Sequence, residues 1–177
     1  MRRNSAYSTK IVENLVKIGG YIRSLQIWEY KFLVSDLNLL IMGLPMLETL
    51  VIHSMLLWEL QNTRTRITST SIRKLVVIEP DGSRGQYACL YGHNFGASAM
   101  WALPNLDSVV VHGCCGIRHV LKNMAGFLAE HQVNLRQIVF RRWVTPISNG
   151  EAALLRAQFS EFRNVSSSST SVQCIKV

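Results

Sequence analysis

The chain has 177 residues, 48% of them apolar, with a formal net charge of +8; that is enough for one domain with a real core or a short stack of repeats. Only 17% of the residues are charged, which excludes a solvated chain without a core. The positive charge favours acidic partners, but the basic residues are scattered and read as a solvated face, not as a nucleic-acid track.

In chain order, residues 1–10 are basic and acid-poor and form a flexible N-terminus, with no apolar core of a secretory signal behind them. Ile11, Val12, Leu15 and Val16 then mark a short amphipathic helix that Gly19-Gly20 stops. A strand frame follows, Ile22-Arg-Ser-Leu25-Gln-Ile27, in which apolar residues occupy the first, fourth and sixth places. Asp36 caps a second helical turn carrying Leu37, Leu40 and Ile41. Residues 39–58 are apolar enough to suggest a membrane span, yet Pro45, Glu48 and His53 interrupt them. They divide instead into a helix end and a second strand frame.

That second frame is Leu47-Glu-Thr-Leu50-Val-Ile52. A third starts at Ile72, a fourth at Leu106 and a fifth at Leu135, so the intervals are 25, 25, 34 and 29 residues. Two frames share the prelude Leu-Pro-x-Leu (Leu44 to Leu47 and Leu103 to Leu106), where proline stops the preceding helix. The stretch before the third, Thr63 to Ser71, is polar apart from Ile67 and reads as a surface loop. The long interval implies an insertion at 78–98, which reads as a hairpin around Pro80-Asp81-Gly82. Ile117, Val120, Leu121, Met124, Phe127 and Leu128 lie on one face of a helix. Residues 146–165 form a C-terminal helix, and the serine-rich stretch 166–177 a flexible tail, in which Val172 to Val177 are a weak candidate for a sixth strand.

A frame recurring at this period is the mark of stacked strand-helix units, none of which buries its apolar face alone. The fold class is therefore α/β. The chain resembles a leucine-rich-repeat protein over residues 11–145, a short solenoid of about five strand-helix units with a parallel sheet on its concave face. From Cys114, the pattern Cys-x-x-Ile117 followed by Leu128-Ala129-x-x-Gln132-x-x-Leu135 is similar to the cysteine-containing class of these repeats, which is common in F-box proteins. Gln132 stands where that class has its second cysteine, and Arg118-His119 replaces Thr-Asp. The resemblance implies protein–protein recognition and, within the class, substrate recognition in ubiquitin ligation. No F-box segment is found.

Strand residues alternating outward would form the binding surface. The candidates for contact with a protein partner of acidic surface are Arg23, Gln26, Trp28, Glu48, His53, Arg73, Lys74, Asp107, His112, Arg136 and Arg141. Interleaved with them, Val51, Val76, Val110 and Val139 would supply an apolar interface core. The chain is read as a binding protein and not as an enzyme, with no catalytic residue, metal, cofactor or small-molecule substrate. The alternative is a small α/β enzyme or metal-binding protein using His112, Cys114, Cys115 and His119, although adjacent cysteines point apart and no second ligand pair is present. His53 and His112 fall at equivalent places after their strands, and Cys174 stands fourth from the end in a poor prenylation pattern. Cys89, Cys114, Cys115 and Cys174 show no C-x-x-C spacing and read as reduced thiols of a cytoplasmic or nuclear protein.

Overall fold

Each frame enters a strand two residues after its first apolar position, and the strands lie side by side. The computed structural model describes residues 5–27, 34–54, 56, 66–78, 101–113, 117–131, 134–142, 147–158, 164–167 and 171–175. Strands β1 (Ser24–Ile27), β2 (Thr49–His53), β4 (Lys74–Ile78), β6 (Ser108–Gly113) and β7 (Gln137–Arg142) are parallel neighbours in that order. Ser24 faces Thr49, Thr49 faces Lys74, Lys74 faces Ser108 and Ser108 faces Gln137. The register offsets are thus 25, 25, 34 and 29 residues, the intervals counted in the sequence. A separate two-stranded parallel sheet pairs β3 (Ile67–Thr68) with β5 (Trp101–Ala102), again 34 residues apart. The chain is α/β with a mostly parallel sheet.

A tight turn delivers each of the first four frames to its strand. The Leu47 N–H donates to the Leu44 carbonyl at 3.1 Å and the Leu106 N–H to the Leu103 carbonyl at 3.0 Å. Pro45 and Pro104 therefore sit at the second position of a β-turn, where their fixed φ suits them and no N–H is needed. Ile22 closes the same turn onto Gly19. In the third unit the side chain does the work of the carbonyl: Ser69 Oγ accepts from the Ile72 N–H at 3.4 Å and from the Ser71 N–H at 3.3 Å. The polar stretch read as a surface loop thus ends in a built turn. Ile67 and Ser69 within it are buried, because β3 pairs with β5.

Helices cover one face of the sheet. They are α1 (Ser5–Ile18), α2 (Val34–Gly43), α3 (Ile117–His131) and α4 (Asn149–Gln158). Leu37, Leu40 and Ile41 of α2, with Val120, Leu121, Met124, Phe127 and Leu128 of α3, pack on Leu50, Leu75, Val109 and Ile138 in one core. Each of these burials stabilises the fold by about 1.5–3 kcal/mol. Leu47, Ile72, Leu106 and Leu135 are buried in the same core, and Ile22 packs against it. Trp101 meets Phe127 edge-on, and Phe127 stacks on His131 with ring centroids 4.5 Å apart. Ser148 and Glu151 form a capping box at the start of α4: the Glu151 N–H donates to Ser148 Oγ, and the Ser148 N–H donates to the Glu151 carboxylate.

The opposite face departs from the expectation. Val76, Ile78, Val110 and Val139 form a second buried cluster with Val51 against it, so these valines are core and not an exposed interface. The central strands are buried on both faces, as their unbroken runs Leu75–Ile78 and Val109–Val111 require.

The C-terminus also departs from the expectation. In place of a flexible tail, β8 (Asn164–Ser167) and β9 (Ser171–Ile175) extend the sheet, with β9 antiparallel to β7. Val172 and Cys174 alternate inward from β9, and backbone pairing along the otherwise open edge of β7 is indifferent to the serines around them. The C-terminal helix is correspondingly shorter than 146–165. At the other end α1 begins at Ser5, inside the stretch expected to be flexible. Residues 39–58 divide between the end of α2 and β2, and no helix among the described residues is long and apolar enough to cross a membrane. The expected hairpin lies, beyond β4, outside the described residues.

Candidate functional site

The residue in the second place of each frame sits just before its strand, at the N-terminal rim of the sheet. In spatial order these residues are Arg23, Glu48, Arg73, Asp107 and Arg136, a row that alternates in sign. The backbone builds the row. The Arg23 carbonyl accepts the N–H groups of both Glu48 and Thr49, at 2.8 and 2.9 Å. The carbonyls of Glu48, Arg73 and Asp107 do the same for the next pair along. Neighbouring members are therefore held about one strand spacing apart, roughly 4.8 Å.

The side chains along this row are not used alike. Arg23 and Glu48 close an exposed ion pair at 2.6 Å. Arg73, Asp107 and Arg136 form no ion pair among the described residues; they line an open cleft of about 190 Å³ with Pro104, Asn105 and Asn134. Both asparagines are tied down, Asn105 Nδ2 donating to the Thr70 carbonyl and Asn134 Nδ2 to the Pro104 carbonyl, each at 2.6 Å. Each bond runs one unit back along the sheet and fixes a cleft wall. The cleft thus presents two guanidinium forks, a carboxylate between them and amide groups on rigid backbone, a set suited to oxyanions.

The other candidates are dispersed. Gln26, Lys74 and Arg141 are exposed on the sheet, and His112, paired in register with Arg141, is partly buried. Burial, then the charges of Arg141 and Lys74, hold the His112 pKa below its ordinary value. His53 is 8% exposed and so no surface histidine. It shares a register row with His112, but Ile78 stands between the two. Trp28, Cys114 and Cys115 lie outside the described residues, as does the side chain of His119; among the described residues there is no group of three potential metal ligands. Cys174 is buried in β9, opposite Ile138, in a position closed to lipid attachment.

Sequence reasoning named every charged member of the rim but missed the order among them. The signal was present: the second place of the frame reads Arg, Glu, Arg, Asp, Arg, and the last two frames are each preceded by asparagine. The alternation read from the sequence runs along the strands, while this pattern runs across them.

No family model matches the chain. No curated protein matches it. Among solved structures it is similar to an uncharacterized protein from Listeria monocytogenes serotype 4b, at 8% identity and a TM-score of 0.33, over 73% of this chain and 62% of that one. The matched region thus spans less than two thirds of that protein's length.

Proposed function

We propose that the chain is a protein-recognition module of leucine-rich-repeat type that engages an acidic partner through the charged rim and the exposed basic residues Lys74 and Arg141 on the strands. The observation that carries this reading is the row from Arg23 to Arg136, one residue per unit, set by the same hydrogen bond at every junction. Repetition of that kind presents a regular surface to an extended partner. Arg23, Lys74, Arg73, Arg136 and Arg141 are exposed, whereas Val76, Val110 and Val139 are buried, so recognition falls to the rim and not to an apolar sheet face. Within the class that the repeats resemble, the partner would be a substrate of a ubiquitin ligase.

The test is selection from a random peptide display library on the immobilised chain. Enrichment of acidic peptides, with capture reduced by the triple variant Arg23→Glu/Lys74→Glu/Arg141→Glu, is the expected result. Failure to enrich any sequence, or equal capture by the variant, overturns the proposal.

A further inference from the structure

We infer that the cleft between Arg73 and Arg136 is a subsite for an extended peptide carrying two carboxylates three residues apart, with a cationic side chain between them. The inference rests on the recognition reading above and adds a charge code to it. The row supplies two cations flanking an anion, so its complement is an anion, a cation and an anion in the same order.

Two observations on this cleft point to a ligand and away from a purely structural charge ladder. The first is the contrast within one row. Arg23 and Glu48 stand in the same relation as Arg73 and Asp107, one unit apart with the same backbone bonds, and only the first pair closes. Both guanidiniums of the cleft remain exposed and without an ionic partner among the described residues. The second is the rigidity of the walls. The bonds from Asn105 to Thr70 and from Asn134 to Pro104 hold the floor between the two arginines, so little order is lost when a ligand binds.

The spacing follows from the sheet. Arg73 and Arg136 start two strands apart, on the order of 9.6 Å, and the ligand's carboxylates must span a similar distance. A polyproline II peptide rises about 3.1 Å per residue with three residues per turn, so positions i and i+3 share a face about 9.3 Å apart. Such a peptide places one carboxylate at each guanidinium; a lysine at i+2 leaves the helix about 120° from that face, and its flexible four-carbon stem is long enough to reach back toward Asp107.

The experiment measures binding of labelled synthetic peptides to the full chain by fluorescence anisotropy at low salt. The probe is acetyl-Pro-Glu-Pro-Lys-Glu-Pro-amide. One control exchanges the charges (acetyl-Pro-Lys-Pro-Glu-Lys-Pro-amide), and another replaces the lysine by alanine. The probe is expected to bind about tenfold tighter than its charge-exchanged control, and Arg73→Ala and Arg136→Ala each to weaken it about threefold. Asp107→Asn is expected to weaken the lysine peptide but not the alanine peptide. Equal affinity for the probe and the exchanged control, indifference to both arginine substitutions, or no binding at about 1 mM peptide overturns the subsite. The comparison of peptides on the wild-type chain stands whether or not a variant folds. If library selection yields acidic binders while these peptides fail, the recognition reading survives and the cleft does not.

Discussion

Asn134 donates its side-chain amide to the Pro104 carbonyl at 2.6 Å, reaching from the turn before β7 to the turn before β6. Asn105 makes the equivalent bond to Thr70 one unit earlier. These bonds tie consecutive turns together where the sheet ladder has not yet begun. Asn134→Ala is expected to lower the unfolding free energy by about 0.5–1.5 kcal/mol, the net worth of one such bond at an exposed site. Urea denaturation of Asn134→Ala, Asn105→Ala and the double variant measures the effect. An unchanged midpoint in all three would remove the tie between turns.

Gly43 packs against Val16, and a Cβ added there would collide with the valine side chain. Gly19 is closed in the same way by Leu44. These two glycines let α1 and α2 approach each other over the first units of the sheet. Gly43→Ala, which helix propensity alone would make stabilising, is expected to cost about 1–3 kcal/mol through overpacking. Thermal denaturation reads the sign directly, and a higher midpoint for the variant would contradict the close approach.

Burial pushes the Cys174 thiol up to about 11, with the charge of Arg156 opposing the shift more weakly. At pH 8 the thiol is therefore protonated and enclosed, and iodoacetamide should label it only after denaturation. The folded pKa lies above the unfolded value of 9.0, so the stabilisation is complete below pH 9 and is lost as pH rises toward 11. Cys174→Ala should remove that alkaline loss from a plot of stability against pH. Rapid native labelling of Cys174 at pH 8 would place β9 off the sheet.

His112 behaves in the opposite sense. Its pKa is lowered by burial first and then by Arg141 and Lys74, so the folded chain resists a proton that the unfolded chain accepts near pH 6.5. Stability from this group is present above pH 6.5 and falls as pH drops through that value. An NMR titration of the ring protons should give a midpoint below 6.5, and Arg141→Ala should raise it. A wild-type midpoint at or above 6.5 would contradict the burial of the ring and the influence of Arg141 and Lys74 on it.

The parallel register was legible because it is a local pattern repeated. Ile22, Leu47, Ile72, Leu106 and Leu135 each open the same six-residue frame, and a one-residue slip would turn every strand inside out. The third turn was not legible as such, because Ser69 supplies with its side chain what Leu44 and Leu103 supply with their backbone. The burial of Val76, Val110 and Val139 could have been read from the unbroken apolar runs around them, where alternation with polar residues is absent. Composition misled at the C-terminus: the serines of β8 and β9 suggested a solvated tail, while the period-two placement of Val172 and Cys174 carried the strand.

The candidate site was legible as residues but not as a place. Arg73, Asp107 and Arg136 were in view, yet their neighbourhood depends on strand order, which joins residues 34 and 29 positions apart. Asn105 and Asn134 carried no chemistry of their own in the sequence and acquire it only as the walls between those charges.

The row of alternating charge exists only if the strands keep one register, and NMR tests this most directly. On deuterated, methyl-labelled chain, cross-strand contacts are predicted along the whole series from Val51 to Val76, Val76 to Val110 and Val110 to Val139. Observation of all three supports the rim and the cleft built on it. Contacts shifted by even one residue between β4 and β6 would separate Arg73 from Asp107 and contradict the account.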